Sequence, residues 1–208
     1  VVLKLVMILG GIGVSALLSG FGGCVHRSGG EWMVDSAPLP EGWPAITPVG
    51  EVEVKEYPVY RAASVHEDRL GADGMRPMFM ELFGHIKKHD IAMTAPVDMS
   101  YEVGGGGDAR MDAMAFLYRS TSLGETGEDG AVRVADVPAR TYASVGTRGG
   151  YTTKRFLKGL GLIEGWLSES AEWRAAGEPR FLGYNGPFVP WFMRYGEVQI
   201  PVEPRGRE

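Results

Sequence analysis

The sequence is poor in the residues that most often announce a function. One cysteine in 208 residues forms neither an internal disulfide nor a cysteine-based zinc site, so packing alone must hold the fold. Histidines number four, at 26, 66, 85 and 89, and none follows a C-x-x-C haem attachment signal. No run of lysine and arginine occurs, and 21 basic residues against 26 acidic ones leave a formal charge of −5, which excludes a dominant basic face and nucleic acid as partner. G-x-S-x-G, Walker-type phosphate loops and H-E-x-x-H are absent, and no paired metal-binding histidines are expected. The glycines at 104–107 precede no helix start carrying lysine, serine or threonine, so they read as a hairpin turn and not as a phosphate cradle.

Glycine, by contrast, is abundant at 31 residues, and the first stretch of chain concentrates it. Leu5 to Phe21 is an apolar and small-residue run behind the single charge of Lys4, the pattern of a bacterial export signal over residues 1–23, with a membrane-spanning helix as the competing reading. Cys24 follows Gly22 and Gly23, an arrangement that resembles the lipobox of bacterial lipoproteins, although Phe21 stands where leucine is usual. The resemblance implies lipidation of Cys24 and attachment to the bacterial cell envelope. Residues 24–48 are rich in proline and glycine and lack periodicity, as a tether would, with Trp32 and Trp43 free to pack on the domain edge. The domain proper is expected over 49–203, with a tail at 204–208.

Within the domain, Met75, Met78, Phe79, Leu82, Phe83 and Ile86 recur with helical period and predict a helix over 75–88. A second helix is predicted at about 152–169 from Phe156, Leu160, Ile163 and Leu167. Its three glycines, each costing up to about 1 kcal/mol relative to alanine, make it dependent on packing. Extended segments are predicted at 51–66, broken at Pro58, and at 91–101, 111–119, 132–145, 180–184 and 197–202, with a further helical turn at 172–177.

The chain also repeats itself. VEVKEYPVYRAASV from Val52 aligns with VRVADVPARTYASV from Val132, with identity at Val52/Val132, Val54/Val134, Pro58/Pro138, Ala63/Ala143, Ser64/Ser144 and Val65/Val145. Each copy leads into an amphipathic helix and two extended segments. The fold class is therefore α+β: two β-β-α-β-β halves forming a curved antiparallel sheet or distorted barrel with two main helices, and a cleft between the halves.

The string MFMELFGHIKKHDIAMTAPV, from Met78 to Val97, closely resembles the signature of the SOUL haem-binding family, and the Tyr184 to Phe188 stretch YNGPF leading into RYGEVQI fits the family's C-terminal landmark. Gly196 departs from the asparagine often found there. The resemblance implies non-covalent, reversible binding of haem or another porphyrin, without chemistry on it, by a monomer that carries no other metal. It places the ligand surface at Met75, Arg76, Met78, Phe79 and Leu82 of the first helix, opposite Phe188, Trp191 and Phe192 of the aromatic loop, with core packing as the plain alternative for each methionine. Because so aromatic a loop is costly to expose, it is expected to fill or line the cleft. Arg76, Lys87, Lys88 and Arg194 are candidate cations for propionates. His85 is a weak candidate for iron ligation, and His89 is expected to cap the helix end. Thr94 is expected to bond its own backbone at the Pro96 kink.

The duplicated plan also resembles GyrI-like domains, which bind small amphipathic molecules through a glutamate on the last strand. Glu197 stands at the matching place, with Tyr118, Tyr142, Tyr184 and Tyr195 as candidate neighbours. A buried carboxylate there could serve a hydrolase as general base, or pair as an ordinary strand glutamate with a lysine or arginine.

Overall fold

A computed structural model describes residues 25–28, 31–70 and 74–206. Cys24 and the apolar run before it lie outside the described residues. Among the described residues twelve strands and two long helices follow one another as β1 (Val25–Ser28), β2 (Glu31–Val34), β3 (Val52–Tyr57), β4 (Tyr60–His66), α1 (Met75–Lys88), β5 (Val97–Val103), β6 (Ala109–Leu117), β7 (Gly127–Asp129), β8 (Val132–Val137), β9 (Arg140–Arg148), α2 (Thr153–Glu169), β10 (Trp173–Ala175), β11 (Arg180–Gly183) and β12 (Tyr195–Pro204). Both predicted helices form. The expected helical turn at 172–177 is instead β10, whose backbone pairs with the far end of β12.

The large sheet is antiparallel and open, in the order β3-β9-β12-β11-β5-β6-β4-β8-β7 with β10 added beside β12. Its middle is the β11–β5 pair, and the order on one side repeats the order on the other when each strand is replaced by its duplicate. Register obeys the same symmetry: Val54 faces Ala143 in one half, and their duplicates Val134 and Ala63 face each other in the other. β3 and β4, adjacent in sequence, do not pair with each other. Their hydrogen bonds go to β9 in one case and to β6 and β8 in the other, so each half lends a strand across the dyad.

Side chains alternate between the two faces of these strands. One face carries Ala63, Val65, Met99, Met114, Phe116, Val145, Phe181 and Val198 into a core closed by α1 and α2. α1 contributes Met78, Leu82 and Ile86; α2 contributes Phe156, Leu160, Ile163 and Leu167. Thr152 caps α2 by accepting a hydrogen bond from the Arg155 amide. Gly159 offsets its low propensity by close approach, since a Cβ there would meet Val198 Cγ2 at 2.6 Å.

The opposite face has its own core, made of Tyr57, Tyr60, Tyr142, Leu182, Tyr184 and Tyr195, and it is covered by the chain's own N-terminal segment. Met33, Trp43 and Ile46, from the stretch expected as a tether, are buried in it, while Trp32 is exposed. Gly146 makes this closure possible: a Cβ there would come within 2.2 Å of the Thr47 carbonyl oxygen. Among the described residues no helix is long and apolar enough to cross a membrane.

Candidate functional site

Two regions qualify for attention, one on each face of the sheet. On the face covered by the N-terminal segment, Glu197 projects from β12 and is fully buried. Six groups donate to its carboxylate. They are the Thr47 amide at 2.7 Å, Lys55 Nζ at 2.9 Å from both oxygens, Tyr57 Oη at 3.4 Å, Ser144 Oγ at 3.2 Å, Tyr195 Oη at 3.0 Å and Gln199 Nε2 at 2.8 Å. A carboxylate offers about four lone-pair sites, so this one is saturated. Lys55 also donates to the Ala45 carbonyl, and the single Tyr195 hydroxyl proton is shared between Glu197 and the Thr47 carbonyl. Burial lowers the Lys55 pKa against the opposing pull of Glu197. It also drives the Tyr57, Tyr184 and Tyr195 hydroxyls upward, with the Glu197 charge adding to the rise, so these tyrosines stay protonated donors.

Arg180 sits beside this network, donating to Asp98 Oδ2 at 2.8 Å, Tyr60 Oη at 2.8 Å and Gln199 Oε1 at 3.0 Å, with its guanidinium 3.9 Å from the Tyr142 ring centre. The arrangement anchors the N-terminal segment across the sheet. It leaves Glu197 without a free oxygen to accept a proton from water or a substrate. Of the tyrosines expected near Glu197, Tyr195 bonds it and Tyr184 lies close by, whereas Tyr118 stands elsewhere, beneath His85. Lys55, Tyr57, Ser144 and Thr47 were not legible as its partners. The one available signal was the i, i+2 spacing of Glu197 and Gln199, which puts both on one strand face.

On the helix face a groove of about 440 Å³ opens over the β5–β11 seam, between α1 and the loop that precedes β12. Its wall on α1 is Met75, Arg76 and Phe79, and its floor includes Val97, Met99, Met114 and Gly183. Gly183 keeps the floor low, because a Cβ there would sit 3.0 Å from the Tyr151 ring and 3.2 Å from Met99 Cε. Met93, Thr94 and Ala95 of the signature string form one rim; Asn185, Pro187 and Arg194 form the other. The signature is held by Thr94 Oγ1, which donates to the Leu117 carbonyl at 2.5 Å and not, as expected, to its own backbone. The Ala95–Pro96 peptide is cis.

Of the residues assigned to the ligand surface, Met75, Arg76 and Phe79 line the groove, and Met78 and Leu82 point into the core beneath it. Phe188, Trp191 and Phe192 neither fill nor line it. They are 85%, 64% and 58% exposed, because Arg194 pins the loop outward by donating to the carbonyls of Pro187 and Val189. Arg76 forms no ion pair among the described residues. His85 is remote from the groove: its Nδ1 meets Asp129 and its Nε2 meets Tyr118 Oη. His89 closes α1 through its backbone, and its ring also reaches Asp129.

The duplicated α+β sheet thus carries an apolar groove at its dyad, a concave surface of the kind in which small molecules are bound. The model of the SOUL heme-binding protein family matches residues 45–201, and the chain belongs to that family. No curated protein sequence matches it. Among solved structures it resembles an uncharacterized conserved protein from Listeria innocua, with a TM-score of 0.55, 10% identity and coverage of 75% of this chain and 94% of that one. A hydrolase from the same organism gives a TM-score of 0.52, 10% identity and coverage of 76% and 94%. The EcmrR chain in an EcmrR–DNA complex gives a TM-score of 0.53, 17% identity and coverage of 74% of this chain, which spans only 57% of that one. These likenesses show a shared fold.

Proposed function

We propose that the protein binds haem or a related tetrapyrrole reversibly in the groove over the β5–β11 seam. The observation that carries this reading is the groove itself: about 440 Å³, apolar, with the exposed guanidinium of Arg76 at its edge. That volume lies within the range of about 300–1,000 Å³ usual for small-molecule sites. The donor set fits the macrocycle better than its iron. Thioethers of Met75, Met93, Met99 and Met114 and the rings of Phe79 and Tyr151 suit a flat apolar face, and no histidine lines the groove. Arg76 would hold a propionate, with Arg194 as a second cation already tied to two carbonyls. When bound, haem would supply a redox-active iron; the residues here supply burial and orientation.

The reading is binding without chemistry on the ligand. Saturation of Glu197 by protein donors argues against its use as a general base. Titrating the protein with haemin, iron-free protoporphyrin and an unrelated hydrophobic dye tests the proposal. The expected result is tight binding of both porphyrins with similar affinity and weak binding of the dye; equal, weak binding of all three would overturn it. The Leu5–Phe21 run and the position of Cys24 support an exported protein anchored to the bacterial envelope by lipid on Cys24. Mass spectrometry of the native N-terminus would contradict this if it found an unmodified chain from Val1.

A further inference from the structure

A second cluster lies at the C-terminal end of α1, away from the groove and on the outer side of the β4–β8–β7 edge. His85 and His89 are four residues apart, about one helical turn, so their rings stand side by side with centroids 4.6 Å apart. The short strand β7 brings Asp129 against them. His85 Nδ1 lies 2.8 Å from Asp129 Oδ2, and His89 Nε2 lies 2.9 Å from the same oxygen. Lys88 Nζ holds the other oxygen, Oδ1, at 2.6 Å. The three ligand-capable atoms lie within 4.8 Å of one another.

We propose that His85, His89 and Asp129 form a binding site for one divalent transition ion of the zinc class. The geometry is close to what such an ion requires. Tetrahedral coordination with bonds of about 2.0–2.1 Å sets ligand atoms about 3.3 Å apart. Each nitrogen therefore needs to retreat from the carboxylate oxygen by about 0.4 Å, while the two nitrogens, which lie within 4.8 Å of each other, settle to the same spacing; His89 and Asp129, with side chains 43% and 30% exposed, have room to move. Two imidazoles and one carboxylate are a borderline donor set that suits zinc and its neighbours and not calcium or magnesium, which take oxygen ligands. Exposure of His89 and Asp129 provides the entry path and leaves the fourth position to water.

The surroundings are suited to the same ion. His85 Nε2 is 2.9 Å from the buried hydroxyl of Tyr118. Once Nδ1 is given to a metal, Nε2 carries the proton and donates it to Tyr118 Oη; without metal, that hydroxyl can donate to Nε2 instead. Tyr118 thus serves either tautomer and fixes the ring, as an outer partner of a metal-bound histidine does. Lys88 occupies Oδ1 and so directs Oδ2 to the ion. The site would tie the end of α1 to the edge strand β7, which otherwise has only β8 as a neighbour in the sheet.

Calorimetric titration of the full chain with Zn²⁺ tests this, with thermal unfolding measured in parallel. One ion per chain is expected, together with a rise in melting temperature on saturation. His89→Ala, at an exposed position, should weaken binding at least tenfold and abolish the thermal shift, and Tyr118→Phe should weaken it about tenfold through the lost outer contact. Should a variant fail to fold, the visible absorption of Co²⁺ bound to the unaltered protein still reports whether the ion is four-coordinate. No saturable binding, a Co²⁺ spectrum of octahedral type, or binding that persists in His89→Ala and disappears when Cys24 and His26 are replaced would each overturn the proposal.

Discussion

The two faces of one sheet have been put to opposite uses. On one, tyrosines, a buried lysine–glutamate pair and the Arg180–Asp98 pair are sealed under Trp43, Ile46 and Thr47, and the charged groups are paired within the chain. On the other, where α1 stands apart from the second half at the dyad, methionine, alanine and glycine leave an apolar floor uncovered. The difference teaches where a ligand can be taken. Charge that is already satisfied internally gains little from a new partner, whereas uncovered apolar surface gains roughly 25 cal/mol for every Å² a ligand hides.

The largest expected effect breaks the sealed face. Glu197→Ala strands Lys55 and several donors without their acceptor, and should destabilise the fold by about 3–5 kcal/mol in denaturant unfolding. If Glu197 served catalysis instead, the loss would fall on turnover and leave unfolding almost unchanged. Trp43→Ala removes the ring that packs on Tyr57 and Tyr60 at centroid distances of 4.7 and 5.3 Å, and should cost about 3–5 kcal/mol, so the supposed tether is part of the folded unit. A value near zero would return that segment to the role of linker.

Groove variants sharpen the other half of the comparison. Phe79→Ala, at a half-buried wall position, should weaken porphyrin binding about tenfold or more with a modest loss of stability, and Arg76→Ala, at an exposed one, about threefold and with strong salt dependence. The smallest effect is electrostatic. The Arg61 hydrogen bond and charge lower the Asp136 pKa from 3.8. A depressed carboxylate stabilises the fold above its unfolded value and loses that contribution as pH falls through the folded one. Asp136→Asn should therefore be less stable than the parent at neutral pH, with the gap closing below about pH 4 in thermal melts. A gap that widened on acidification would contradict the assignment.

Much of this was legible before folding. Regular spacing of Met78, Leu82 and Ile86 announced α1, and the repeat at Val52 and Val132 announced two equivalent halves, since both are patterns within short windows of chain. The pairing of β3 with β9 was not, because a strand's alternation says which face it buries and nothing of its neighbour. The same limit hid the metal cluster. The His85–His89 spacing was visible, but Asp129, 40 residues later, became its third member only when β7 was laid against the helix end. The exposure of Phe188, Trp191 and Phe192 ran against their hydrophobicity, because two hydrogen bonds from Arg194 set the loop's direction.

The sequence by itself determined the two helices, the duplication and the family, all of which rest on local periodicity or on strings of adjacent residues. Only the tertiary structure decided that Glu197 is a sealed anchor, that the N-terminal segment covers one face, and that His85, His89 and Asp129 meet. Those outcomes depend on contacts between distant residues, such as the Thr47 amide and the Glu197 carboxylate, 150 positions apart. Contacts of that range follow from how the strands assemble, which no local pattern encodes.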